Sequence, residues 1–293
     1  MKSWYNQAMA TLRITIPEWH GGMNPDYYFG SELMEMIAPP GKDEESVRIE
    51  VDTGLSGLES IDGFEGGSFL LTQQDATRKA LEERQPERVV VFGGDCSVTK
   101  VPFDYLSGKY GDKLGILWLD AHPDISRKGN TSHLHETPAG DLLGLNQDSV
   151  LTKAEHPVSP ERFMFAGLIT EDLLPKEQIV KAMGLRTASP ESLSENSCEV
   201  LSWIKGAGIG YVAVHWDLDV LSPLDYRSIG TARPYWRIED IPYAVGRMRL
   251  EEVGRLLKDV SEAADIAGLS ITEHIPWDAL RMRKLLSSLE IMR

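Results

Sequence analysis

The sequence contains only two cysteines, Cys96 and Cys198, among its 293 residues. Two thiols cannot form the disulfide framework that stabilises many small secreted proteins. The sequence also lacks an apolar run long enough to cross a bilayer, and its first residues lack the basic start and apolar core of a signal peptide. We therefore expect a soluble cytoplasmic protein.

Basic residues are scarce as well. The 30 lysines and arginines are outnumbered by 45 aspartates and glutamates, so the formal charge at pH 7 is −15. This excess disfavours nucleic acids and anionic membranes as partners, because both attract basic surfaces. The sequence shows no internal repeat, low-complexity tract or Pro/Gly/Ser-rich linker. With 42% hydrophobic residues the chain can bury a full core, and we expect one domain over residues 1–293.

Segments typical of strands alternate with segments typical of helices. Strands are predicted at residues 12–16, 47–51, 88–92, 114–119, 163–167, 211–216 and 266–272. Helices are predicted at residues 30–37, 70–83, 98–110, 140–145, 175–183, 194–205, 251–263 and 277–291. This alternation predicts a three-layer α/β/α sandwich with a mainly parallel central sheet.

Four of the predicted strands run into polar residues. The strand at 114–119 is followed by Asp120, His122 and Asp124, which alternate and would point to one side of an extended chain. The other three clusters are Asp95 with Cys96, Asp217 with Asp219, and Glu273. Ligands of open α/β sheets bind outside the carboxyl ends of the strands, so all four clusters should share one edge.

Carboxylates crowded at one edge repel one another unless cations compensate their charge. Oxygen-rich ligand sets with one or two nitrogens suit Mn²⁺ or a similar divalent ion, and bridging carboxylates can hold two ions about 3.5–4 Å apart. The sequence therefore predicts a metal site at the carboxyl edge of the sheet.

Three of these segments resemble the signatures of the arginase/agmatinase (ureohydrolase) family. They are Gly93-Gly94-Asp95-Cys96-Ser97, Asp120-Ala121-His122-Pro123-Asp124 and Asp217-Leu218-Asp219. Their order and spacing also match, and the resemblance extends from about Val89 to the end of the chain. The second and third segments together are a specific signal, whereas each alone is weak.

The resemblance implies two Mn²⁺ ions per chain, with Asp120 and Asp217 bridging both. The metal ligands it implies are Cys96, Asp120, His122, Asp124, Asp217 and Asp219. A hydroxide held between the ions would attack a guanidinium carbon and release urea and an amine, because two cations lower the pKa of bound water. The expected activity is that of an amidinohydrolase acting on linear amidines.

Further residues match the family outside the metal ligands. His135 stands where the family has a proton-shuttling loop histidine, and Asp124 joins it as a catalytic candidate. Glu273 matches a late glutamate whose charge would hold the substrate's guanidinium. His133 replaces an asparagine with which arginases bind the amino acid end of arginine, and with Thr131 it is a candidate for substrate binding. The resemblance implies a small cationic guanidino-type substrate and a homo-oligomer, either a trimer or a hexamer.

The sequence departs from the family pattern where its first metal-ligating histidine is replaced by Cys96. A thiolate is a softer ligand, which makes Zn²⁺ or Fe²⁺ alternatives to Mn²⁺. Family enzymes that act on Nω-hydroxy-arginine can carry cysteine there, so an Nω-hydroxyguanidine is a candidate substrate. Glu136 and Thr137 replace the usual residues after the loop histidine, and the usual Arg-Asp after Gly167-Leu168 is absent. These changes argue against L-arginine itself.

Other interpretations remain open for the same residues. The aspartates could cap helices, Cys96 could be a small buried apolar residue, and Glu273 could pair with an arginine. His215 and Trp216 are interpreted as packing residues or as support for the ligands. At the level of function, the alternative is a non-catalytic, metal-poor protein of this fold with a binding or assembly role. A mononuclear deacetylase-like hydrolase is disfavoured by the closely spaced paired aspartates.

Overall fold

The computed structural model describes residues 11–41 and 44–292. Within them, eight strands form one sheet, in the order β2-β1-β3-β8-β7-β4-β5-β6, and every neighbouring pair is parallel. The strands are β1 (Thr11–Ile16), β2 (Glu44–Arg48), β3 (Arg88–Gly93), β4 (Leu114–Leu119), β5 (Phe163–Ala166), β6 (Arg186–Ala188), β7 (Tyr211–Asp217) and β8 (Asp265–Thr272). The predicted parallel sheet is confirmed.

Helices cover both faces of this sheet. They are α1 (Asp26–Ile37), α2 (Gly67–Arg84), α3 (Lys100–Tyr110), α4 (Pro138–Leu142), α5 (Ile179–Ala182), α6 (Pro190–Glu195), α7 (Cys198–Gly206), α8 (Leu250–Ala263) and α9 (Trp277–Ser288). None of the helices in residues 11–41 and 44–292 is both long and apolar enough to span a membrane.

Two large hydrophobic cores lie on the opposite faces of the sheet. One contains Phe103 of α3 together with Ile116 of β4. The other contains Leu256 of α8 together with Val214 of β7 and Leu117 of β4. Because successive residues of β4 enter different cores, this strand is apolar throughout and fully buried, as expected for a central parallel strand. The predicted α/β/α layering is confirmed.

The structure differs from the sequence prediction at several element boundaries. The second strand lies at Glu44–Arg48 instead of 47–51, since it is these residues that pair with β1. The helix predicted at 194–205 is two helices, α6 and α7, separated by an extended Asn196. The side chain of Asn196 accepts the N–H of Cys198 and so helps to start α7. Strand β6 was not predicted, because three residues are too few for a periodic pattern.

The order of the strands determines what the carboxyl edge can hold. β3, β8, β7 and β4 are consecutive neighbours in the middle of the sheet. These are the four strands whose ends carry the predicted polar clusters. The clusters therefore lie side by side at one edge.

Candidate metal centre

Short turns that follow β4 and β7 place the aspartates of the centre. Oδ1 of Asp120 accepts the backbone N–H of His122 at 2.7 Å. Oδ1 of Asp217 accepts the N–H of Asp219 in the same way, also at 2.7 Å. Aspartate commonly forms this turn with the backbone two residues later. The same hydrogen bond therefore fixes the backbone at both strand ends, next to the later residue of each pair.

The turn after β3 depends on a close approach between two backbone segments. A Cβ atom at Gly94 would lie 1.6 Å from the carbonyl oxygen of Glu18, so only glycine fits this position. The next residue, Asp95, is fully buried and accepts hydrogen bonds from Gly22 and Ser97. Asp95 therefore holds the turn and the neighbouring loop together, and Cys96 follows at the edge.

The predicted ligand atoms converge in this region. Nδ1 of His122 lies 3.1 Å from Oδ2 of Asp219 and 3.5 Å from Oδ1 of Asp120. The thiol of Cys96 donates to Oδ2 of Asp217 at 2.9 Å. Three overlapping groups have donor atoms that all lie within 4.8 Å of one another: Cys96, Asp120, Asp124 and His215; Cys96, Asp217 and Glu273; and Asp120, His122 and Asp219.

The carboxylates of the centre are buried without a lysine or arginine partner in the described parts of the chain. Asp120 and Asp217 are 1% and 2% exposed. Burial raises the pKa of Asp120 to about 6 and that of Glu273 to about 7. Burial, and then the charges of neighbouring carboxylates, raises the pKa of Asp217 well above its usual value. Such a cluster holds its negative charge poorly without a cation.

In the pair formed by Asp219 and His122, the attraction between opposite charges outweighs the effect of burial on both pKa values. Burial alone would raise the pKa of Asp219, but the neighbouring imidazole of His122 lowers it overall. Burial likewise opposes the charged form of His122, yet the charge of Asp219 raises its pKa well above the usual value. A bound cation would take the place of the imidazole proton in this pair.

Two further features indicate that the donors are arranged for a ligand. Oδ2 of Asp124 and Oδ1 of Asp219 are buried and have no hydrogen-bond partner within residues 11–41 and 44–292. Asp124 and Glu273 also adopt left-handed backbone conformations, with φ of 42° and 62°. Such conformations are costly for residues other than glycine and cluster at functional sites. Buried carboxylates, two imidazoles and one thiol are donors that suit divalent metal ions, so the residues present fit such an ion.

A cavity of about 290 Å³ opens onto this centre. Asp124, Asp219 and Glu273 line it, and so does His135, whose Nδ1 donates to the carbonyl oxygen of Gly21 at 2.9 Å. A larger cleft of about 780 Å³ lies beside α9 and contains none of the clustered carboxylates. In the described parts of the chain, the smaller cavity is therefore the one in which a substrate would meet the clustered carboxylates.

The cavity lining includes residues for which the sequence carried no local signal. Tyr27 donates a hydrogen bond to Oε2 of Glu273 at 2.6 Å, although the two residues are 246 positions apart. Lys176, Thr231 and Tyr243 also line the cavity.

The two residues predicted to bind the end of the substrate away from the guanidino group lie outside this cavity. Thr131 and His133 are outside the lining of this cavity and bond to each other, with Oγ1 of Thr131 accepting the N–H of His133 at 3.0 Å. Their role in substrate binding stays a prediction.

Fold and centre together define an α/β protein with a buried carboxylate cluster at the carboxyl edge of a parallel sheet. A model of the arginase family matches residues 50–238, which is more than half of the chain. The chain belongs to the arginase family.

Curated relatives show the same kinship at low identity. The arginase of Eremothecium gossypii is 26% identical over 198 residues, which cover 64% of this chain and 46% of the relative. The arginase of Staphylococcus aureus strain COL is 24% identical over 149 residues, 48% of this chain and 49% of the relative. The chain thus spans about half the length of these two relatives. The arginase of Bacillus subtilis strain 168 is 25% identical over 231 residues, 71% and 73% of the two chains.

Solved structures share the fold. Entamoeba histolytica arginase, determined in complex with L-ornithine, has a TM-score of 0.75 at 16% identity over 92% of both chains. Formimidoylglutamase from Bacillus subtilis has a TM-score of 0.66 at 12% identity, over 93% of this chain and 82% of that chain. At these identities the likeness concerns the fold alone.

Proposed function

We propose that this protein is a metal-dependent amidinohydrolase that cleaves a C–N bond of a guanidino or amidino compound. The preferred substrate is an Nω-hydroxyguanidine or another guanidino compound that differs from L-arginine. The main support for this proposal is that the carboxylate cluster opens into a cavity. Glu273 and His135 line this cavity together with Asp124 and Asp219. The names of the relatives, arginase and formimidoylglutamase, support the same reaction class.

The proposed ligands of two divalent ions are the six residues Cys96, Asp120, His122, Asp124, Asp217 and Asp219. Bound there, two such ions would compensate the carboxylates and supply a nucleophile from water near neutral pH. Mn²⁺ is the proposed metal, with Zn²⁺ or Fe²⁺ as alternatives because of the Cys96 thiol.

The remaining residues of the cavity bind the substrate and move protons. The carboxylate of Glu273 would hold the cationic guanidinium or amidinium group, and the hydroxyl of Tyr27 fixes one oxygen of that carboxylate. His135 would deliver a proton to the leaving nitrogen as water oxygen bonds to carbon and the C–N bond breaks. Its ring is held for this task by the Nδ1 hydrogen bond to Gly21, and a ring held in this way can exchange a proton through Nε2.

The test is turnover by protein loaded with Mn²⁺ and offered agmatine, guanidino acids, L-arginine and Nω-hydroxyguanidines. We expect release of urea or hydroxyurea with an equal amount of amine from at least one non-arginine compound. Glu273→Gln should lower kcat/KM by at least about 100-fold, because the neutral amide cannot pair with the cation. Glu262→Gln is the matched control, since Glu262 pairs with Lys258 on the exposed face of α8.

Metal analysis separates this proposal from a metal-poor binding protein. Two ions per chain after dialysis support the enzyme, whereas one or none supports the binding role. Protein that holds two ions and turns over none of these compounds would contradict the proposed reaction.

A further inference from the structure

His215 lies on β7 two residues before Asp217, so both side chains leave the same face of the strand. Its side chain is completely buried. Nδ1 of the ring bonds to Oγ1 of Thr99 at 2.8 Å. Nε2 has no hydrogen-bond partner in the described residues and lies 3.8 Å from Oδ2 of Asp120. An imidazole nitrogen without a partner therefore faces the carboxylate cluster.

The position of Nε2 suits a shared ion better than a hydrogen bond. A separation of 3.8 Å from the Asp120 oxygen is too long for a hydrogen bond. Two donors that each lie about 2.0–2.3 Å from one metal ion can be up to roughly 4.5 Å apart. The donor atoms of His215, Cys96, Asp120 and Asp124 all lie within 4.8 Å of one another. The group is thus close to the spacing that one common ion would impose.

The ring of His215 is also held in place from its other side. Thr99 bonds in turn to Ser270 at 2.8 Å, and the ring stacks on Trp118 at a centroid distance of 3.7 Å. A ring that donates its Nδ1 proton to Thr99 presents the lone pair of Nε2 to the cluster. Metal-ligating histidines are commonly oriented by such a partner on the second nitrogen.

A second buried histidine shows that an unpartnered Nε2 alone would not indicate a ligand. His20 is equally buried, bonds through Nδ1 to Glu18 at 2.5 Å, and also has an unpartnered Nε2. It belongs to none of the donor groups. His215 differs from His20 because its free nitrogen shares a small volume with three other donors.

We propose that His215 is a nitrogen ligand of the ion held by Cys96, Asp120 and Asp124. This inference rests on the metal centre of the proposed function and adds a ligand to it. Without His215 that ion would have only oxygen and sulfur donors. With it, each of the two ions has one imidazole, His215 on one side and His122 on the other.

The decisive variant is His215→Asn. The asparagine amide can occupy the place of Nδ1 and keep the bond to Thr99, but it has no atom at the place of Nε2. We expect the wild-type protein to retain two Mn²⁺ ions after dialysis against a weak chelator. The variant should retain one, or bind the second at least about tenfold more weakly. Pulsed EPR should count two directly bound imidazole nitrogens in the wild type and one in the variant.

Three comparisons exclude a general structural effect. His20→Asn removes an equally buried imidazole and should leave both metal content and nitrogen count unchanged. His122→Asn should remove the other nitrogen. The double variant Cys96→His/His215→Asn should regain a second ion and a second nitrogen, because position 96 then supplies the imidazole. Thermal unfolding monitored by circular dichroism checks that each variant is folded.

The outcomes separate the two proposals. A wild-type protein that binds fewer than two ions overturns the metal centre and this inference with it. Two ions in both wild type and His215→Asn, with the same number of bound nitrogens, overturn only the role of His215. If His215→Asn does not fold, pulsed EPR of the wild type labelled with ¹⁵N-histidine can replace it. A single metal-bound imidazole in the wild type would then contradict the role of His215.

Discussion

The thiol of Cys96 donates a hydrogen bond to Oδ2 of Asp217, with 2.9 Å between sulfur and oxygen. Burial, and then the charge of Asp217, raises the pKa of this thiol well above its usual value. The thiol therefore keeps its proton unless a cation replaces that proton between the two side chains. The side chain at position 96 would therefore determine which metal ion the centre prefers.

The first prediction concerns this choice. Replacing the soft thiolate with imidazole, Cys96→His, should strengthen retention of Mn²⁺ relative to Zn²⁺ and Fe²⁺. Competitive loading followed by elemental analysis measures the effect. Because Cys96 is 1% exposed, the larger ring should also lower the free energy of unfolding by about 1–3 kcal/mol. Cys198→Ser at the exposed cysteine is the control, and unchanged metal content in Cys96→His would argue that Cys96 is not a ligand.

A second prediction tests the support of Glu273. Tyr27→Phe removes the hydroxyl that donates to Glu273 at 2.6 Å, so the carboxylate loses a fixed partner. A hydrogen bond to a charged group contributes roughly 1.5–3 kcal/mol, which corresponds to a loss of about 10- to 100-fold in kcat/KM. Tyr28→Phe is a matched control, since its hydroxyl contacts Arg48 away from the cavity. Equal kcat/KM for Tyr27→Phe and wild type would show that Glu273 does not need this donor.

The third prediction concerns metal removal and pH. Carboxyl groups with raised pKa values bind protons more tightly in the folded state than in the unfolded state. Burial raises the pKa of Asp120 to about 6 and that of Glu273 to about 7, so their stabilising contribution is complete below about pH 4 and disappears as pH rises through these values. Asp219, whose pKa His122 lowers against the effect of burial, acts in the opposite direction only below about pH 4.

Burial lowers the pKa of His215 and His274, and these two histidines act in the opposite direction only below about pH 6.5. Metal-free protein should therefore lose roughly 1 kcal/mol or more of unfolding free energy between about pH 6.5 and about pH 8. Urea unfolding after treatment with EDTA measures this change. Adding Mn²⁺ should reverse the trend, because the ions bind only deprotonated ligands. A metal-free protein that is more stable at the higher pH would contradict the assignment of these shifts to the cluster.

A fourth prediction addresses the substrate's tail. Lys176 is the one lysine or arginine lining the cavity within residues 11–41 and 44–292, and it forms an ion pair with Glu136. Lys176→Met should lower kcat/KM for guanidino acids about three- to tenfold relative to agmatine, which has no carboxylate. Lys181→Met on the exposed side of α5 is the control. An equal change for both substrate types would show that Lys176 does not contact the tail.

Much of the fold could be predicted because its elements have strong local patterns. β3, β4 and β7 are apolar runs that end in polar residues, and the structure places strands there within one residue of the predicted bounds. The edge strand β2 and the short β6 were misplaced or not predicted. Their positions depend on pairing with a neighbouring strand and leave little pattern in the sequence.

The residues of the candidate site that directly follow a strand could be predicted from the sequence. The alternation of Asp120, His122 and Asp124 is local, and so is the Asp217 and Asp219 pair. His215 is different, because its place on a core strand predicts packing or support for the ligands. Only the space around Nε2 shows that it faces the same donors as Cys96 and Asp124. The partners of a side chain inside a core are set by packing, which no local spacing encodes.

The sequence by itself determined that polar groups follow several core strands and, because the strands are parallel, that these groups lie on one edge. The tertiary structure decided that β8 lies between β3 and β7, so that Glu273 stands within the donor group of Cys96 and Asp217. It also decided that Tyr27, from the other end of the chain, supports Glu273. Strand propensity and periodicity depend on near neighbours along the chain, whereas strand order depends on how whole faces bury one another.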